Sequence, residues 1–92
     1  MNKKQYAVLE KAVETWGETA QTDVMIEEMA ELTKAILNHR RGRESNISEE
    51  MADVYIMLKQ LEIIFENEGK IKTFIETKIN RLEERLNKCG SE

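Results

Sequence analysis

The chain has 92 residues, 40% hydrophobic and 35% charged, with a net charge of −4 and a single cysteine, Cys89. That length supports one core rather than two, the charge has the wrong sign for a general nucleic-acid binder, and one thiol rules out an internal disulfide or a thiolate metal cluster built within one chain. No apolar run approaches the roughly 20 residues that span a bilayer and the N-terminal MNKKQYAVLE carries no secretory-type apolar stretch, so a cytoplasmic protein without membrane contact is expected.

Gly17, Gly42, Gly69 and Gly90 are the four glycines, and each follows a stretch readable as helix. Glycine is most favoured just past a helix end, where the backbone turns left-handed. The four stops predict four helices, at about 2–16, 19–41, 47–68 and 70–89. Between the second and third helices, His39, Arg40, Arg41 and Arg43 crowd around Gly42, either as a lid for a polyanion or as a solvated helix end. Asn46 is placed to cap the third helix, with Glu49 as its capping-box partner.

Along the third helix Ile47, Met51, Val54, Leu58, Leu61 and Phe65 make one apolar seam, while Ala52, Tyr55, Ile56, Met57, Ile63 and Ile64 make a second face. A helix apolar on two sides is expected to be central, covered by its own bundle and by another subunit. The fourth helix has a narrower stripe, Ile71, Ile75, Ile79, Leu82, Leu86 and Cys89, as suits a periphery. The expectation is an all-α, four-helix bundle-like domain spanning 1–92 that dimerises or assembles further, since a lone chain this short would expose too much apolar area.

One acidic pentapeptide occurs twice, as Glu27-Glu28-Met29-Ala30-Glu31 and Glu49-Glu50-Met51-Ala52-Asp53. Residues three apart share a helix face, so Glu28 with Glu31, and Glu50 with Asp53, form two side-by-side carboxylate pairs. Of the 18 acidic residues these are the only pairs at that spacing. Val24, Glu28, Glu31 and Ala35 form one row, and Asn46, Glu50, Asp53 and Met57 another, so both pairs are expected to point partly inward. Converging carboxylates repel and lose solvation, at several kcal/mol for each uncompensated ion by order of magnitude. A cation between them answers both costs, and oxygen-only ligands suit Mg²⁺ or Mn²⁺. Such an ion bridges phosphate oxygens and activates water, the chemistry of phosphoanhydride hydrolysis. Lys34, three residues after Glu31, either pairs with it or touches a phosphate. Glu27 and Glu49 read as exposed or capping rather than ligating.

The order E-x-x-E, a gap, then E-x-x-D on the next helix resembles the MazG-like, all-α nucleoside triphosphate pyrophosphohydrolases. WGETAQTDVMIEEMAELTKAI is similar to that family's first metal helix with its upstream glutamine, here Gln21; EEMADVYIML resembles the second, and KINRLEERL the later basic segment. The resemblance implies hydrolysis of a nucleoside triphosphate between the α and β phosphates. Glu28, Glu31, Glu50 and Asp53 would hold Mg²⁺, Lys78, Arg81, Lys34 and Gln21 would contact the triphosphate, and a homodimer or homotetramer would place sites near subunit interfaces. Lys78 and Arg81 also have an ordinary reading as helix-dipole partners that pair with Glu83 or Glu84. Trp16 and Tyr55 are either core aromatics or platforms for a base. The competing expectation is a non-catalytic helical interaction module whose acidic pairs mark a solvated face.

Overall fold

Asn2 opens the first helix: its side-chain oxygen accepts from the Gln5 backbone N–H at 2.8 Å, and the Gln5 side chain accepts from the Asn2 N–H at 3.1 Å. This reciprocal capping satisfies donors that the first turn would leave orphaned. In the computed structural model, which describes residues 1–90, the chain forms α1 (Lys3–Trp16), α2 (Glu18–Arg40), α3 (Ile47–Phe65) and α4 (Glu68–Gly90). The described residues contain no strand, and no helix among them is long and apolar enough to cross a membrane.

Gly17 both ends α1 and starts α2, at φ 87°, so one residue makes the whole corner. A side chain would be strained in that conformation. α2 and α3 are joined by residues 41–46 and pack as an antiparallel hairpin, the principal contact of the fold, and α1 lies more lightly across both. The third break differs from expectation. Glu66, not Gly69, adopts the left-handed conformation, with φ 50° and ψ 45°, and Gly69 lies inside the first turn of α4. A non-glycine residue pays roughly 1–2 kcal/mol for that geometry, and Glu66 is the only described one with positive φ.

The face that α3 turns toward α2 is the row carrying Glu50, Met57 and Gln60, all buried. The expected apolar seam is only partly covered: Ile47, Val54 and Leu61 are half-buried, whereas Met51, Leu58 and Phe65 are exposed. With apolar residues on both sides, periodicity alone cannot select which face of α3 is packed. On α2 the matching seam runs Gln21, Met25, Glu28, Leu32 and Ala35, of which Gln21, Met25 and Ala35 are buried.

α4 buries none of its residues and lies along none of the other helices. Only Ile71, in its first turn, is half-buried. The result is a three-helix body with a projecting fourth helix, 55 × 38 × 23 Å overall. Its radius of gyration of 16.9 Å exceeds the roughly 12 Å of a compact domain of this length. All four expected helices are present, but the fourth does not join the packed bundle.

Candidate metal centre

The two copies of the pentapeptide meet across the α2–α3 interface. Glu28 from α2 and Glu50 and Asp53 from α3 each bring one carboxylate oxygen within 4.8 Å of the other two. Glu50 is buried and the other two are half-buried. Antiparallel pairing produces this: with Glu28 opposite Glu50 and Asp53, the same register sets Met25 opposite Met57 and Gln21 opposite Gln60. The hairpin is thus layered as acid, methionine, glutamine.

None of the three carboxylates is ion-paired to a lysine or arginine among the described residues; the Lys59–Glu62 bridge at 3.2 Å lies further along α3. Two like charges at such a separation repel by about 3 kcal/mol at an effective dielectric of 20, less where water reaches them. Glu28 carries the consequence. Burial, the charges of Asp53 and Glu50, a hydrogen bond with the Asp53 side chain and the charge of Glu31, in that order, raise its pKa above the ordinary 4.5.

The donor set fits a hard divalent cation. Adjacent ligands at 2.0–2.1 Å on one octahedral Mg²⁺ lie about 2.9 Å apart, so the three oxygens, within 4.8 Å of one another in the metal-free protein, would draw together around the ion. Two helices hold the donors, which leaves the solvent side open to water and phosphate oxygens.

The remaining sequence-predicted residues are placed differently. Glu31 is exposed and outside the three-carboxylate group, although its charge reaches Glu28. It sits beside the α2 seam, not in it. Lys34 is exposed one turn beyond Glu31, and Gln21 is buried two turns before Glu28, in the glutamine layer. Lys78 and Arg81 are exposed on α4, which has no packed contact with α2, so one chain does not bring them to the carboxylates. Glu27, Glu49, Trp16 and Tyr55 are exposed, as are His39, Arg40, Arg41 and Arg43 at the end of α2.

Asn46 has a role that sequence reasoning missed. It occupies the N-cap position of α3 but its side chain makes no capping bond; its amide donates instead to Oε1 of Glu50 at 2.8 Å. The expected pairing with Glu49 is replaced by one with the buried carboxylate. The signal was available, because Asn46 and Glu50 stand four apart on the row that carries Asp53.

Comparison with protein-family profiles, with characterised proteins and with solved structures gives no match.

Proposed function

We propose that this chain is a Mg²⁺-dependent nucleoside triphosphate pyrophosphohydrolase of the MazG-like, all-α kind, cutting between the α and β phosphates to release a nucleoside monophosphate and pyrophosphate. The observation that carries this reading is the convergence of Glu28, Glu50 and Asp53, from both copies of one motif, with no cationic side chain between them. Mg²⁺, or Mn²⁺ in its place, supplies charge neutralisation for a polyphosphate and acidifies a water.

The chain's own residues do the rest. Glu50, fixed by Asn46, anchors the α3 side of the site, and a cation would relieve the burial and the neighbouring charges that raise the pKa of Glu28. Glu31, exposed one turn along α2, adds its charge to the cation site through Glu28, and Lys34 meets a phosphate on the open side. Gln21 supports the hairpin from the layer behind. Lys78 and Arg81 reach a triphosphate only in an assembly, so a homodimer or homotetramer belongs to the proposal. Its cellular role would be the removal of non-standard or surplus nucleotides.

The test is product analysis with a panel of ribo- and deoxynucleoside triphosphates and Mg²⁺. Pyrophosphate, not orthophosphate, is the expected product. Survival of every nucleotide at high enzyme concentration refutes the activity. Exposed Ile26, Tyr55 and Phe74, at 66, 63 and 62%, favour a second reading as a non-catalytic interaction module; that reading predicts no rise in melting temperature with Mg²⁺, whereas a metal site requires one.

A further inference from the structure

α4 is a one-sided amphipathic helix whose apolar side is largely bare. Ile75, Ile79, Leu82 and Leu86 are 50, 57, 52 and 62% exposed, and beyond the cleft that Ile71 and Ile75 share with Lys59 and Glu62 of α3 the helix projects from the body. From Ile75 onward its apolar residues alternate four and three apart: Ile75, Ile79, Leu82, Leu86, Cys89. Over these two heptads the spacing is that of a coiled-coil seam, with Ile79 and Leu86 at the first core position and Ile75, Leu82 and Cys89 at the second.

We propose that α4 pairs in parallel with α4 of a second copy of this chain along this seam, with the two Cys89 side chains facing one another across the symmetry axis.

Two observations commit this face to that occupant. The first is charge. The positions flanking the seam are Lys78 and Arg85 on one side and Glu76 and Glu83 on the other. In a parallel pair the flanking residue of one helix meets the opposite flank of its partner five residues on, which sets Lys78 against Glu83 of the second copy, twice by symmetry. Antiparallel pairing would juxtapose like flanks, lysine with lysine and glutamate with glutamate. The second is area. The chain exposes 7710 Å², whereas a folded monomer of its mass, 10.8 kDa, exposes about 5,500 Å². The excess, about 2,200 Å², is shared by α4 with exposed Ile26, Met29, Met51 and Tyr55 of α2 and α3, and leaves room for an interface of roughly 800 Å² per partner.

The pairing stands on α4 alone and does not depend on the hydrolase reading. In such a dimer Lys78 is held by the partner's Glu83 and not by the triphosphate proposed for it above, and Arg81, three residues on, faces outward, so a triphosphate contact by either would need a different assembly contact.

The full chain is tested first by sedimentation equilibrium under reducing conditions. A dimer, or a multiple of one, is expected. Leu82→Glu should dissociate it with helical circular dichroism retained, since the side chain is 52% exposed on a helix that buries no residue. Lys78→Glu should weaken association roughly tenfold, two exposed ion pairs becoming two repulsions, and Lys78→Glu with Glu83→Lys should restore it. Diamide should then crosslink the wild-type dimer through Cys89, taking up the two protons and two electrons that the thiols release as the S–S bond forms; Cys89→Ser should not crosslink. A monomer at all concentrations overturns the proposal, as does a dimer indifferent to Leu82→Glu. A dimer that forms without the Cys89 crosslink shows another orientation and overturns parallel pairing. Pyrophosphate release is measured on the same samples: a monomer that still hydrolyses sinks the pairing alone, and a dimer that hydrolyses nothing sinks the hydrolase reading alone.

Discussion

The Asn46 side-chain amide donates a 2.8 Å hydrogen bond to Oε1 of Glu50, one turn further along α3. This bond fixes a buried carboxylate at the point where the chain enters the helix, so the connector that sets the α2–α3 register also orients a proposed ligand. Removing it with Asn46→Ala is expected to cost about 1 kcal/mol in urea unfolding, the lower end for a charged acceptor because Asn46 is exposed. Mg²⁺ affinity should fall about 10–100-fold, as for other residues that orient a ligand. A variant that unfolds earlier yet binds Mg²⁺ unchanged would separate Asn46 from the metal site.

Glu28 gives the metal-free protein a pH dependence of definite sign. Its raised pKa means that the folded state keeps a proton which the unfolded chain has already released. Stability should therefore decline as pH rises from 4.5 through the raised value. Thermal melts across mildly acidic to neutral pH should show this decline in the wild type, a shallower one in Glu28→Gln, and little in the wild type with Mg²⁺ added. A wild-type melting temperature that climbs through this range more steeply than that of Glu28→Gln contradicts the assignment.

Glu31 is expected to behave unlike the other three carboxylates. Because it is exposed and outside the converging group, Glu31→Gln should lower Mg²⁺ affinity by no more than about tenfold, in the range of a residue acting through another ligand. Asp53→Asn should abolish saturable binding. Equal losses in the two variants, measured by calorimetry, would return Glu31 to direct coordination.

Gln60 is 4% exposed and its Oε1 has no hydrogen-bond partner. A buried acceptor left unsatisfied costs about 1–3 kcal/mol, and methionine has nearly the same volume and shape. Gln60→Met should therefore stabilise the protein by about 1 kcal/mol in denaturant unfolding. Destabilisation would mean that the amide has a function in the layer it shares with Gln21.

Much of this arrangement was legible in the residues. The number of helices followed from glycine spacing, and Gly17 and Gly42, both at positive φ, do turn the chain. The third break did not follow, because Glu66 takes a conformation that local sequence disfavours and only tertiary structure enforces. Pairing Glu28 with Glu50 and Asp53 was foreseeable from the repeated spacing, since residues three apart share a face. Which member of the α2 pair turns inward was not. Glu28 and Glu31 differ by 300° around the helix, and the buried seam through Met25 and Ala35 takes in one and leaves the other at its edge. The separation of α4 was also hidden: its stripe is that of a packed helix, and nothing in the pattern tells whether the packing partner lies in the same chain.

The central claim is that a divalent cation occupies the gap between the two acidic turns. Titrating the metal-free protein with Mn²⁺, read by the loss of the free-ion paramagnetic resonance signal, tests it most directly. Saturable binding that Mg²⁺ displaces, and that Glu28→Gln, Glu50→Gln and Asp53→Asn each abolish while retaining helical structure, is the predicted result. Absence of saturable binding to the folded wild-type protein, or binding that survives all three substitutions, would contradict it.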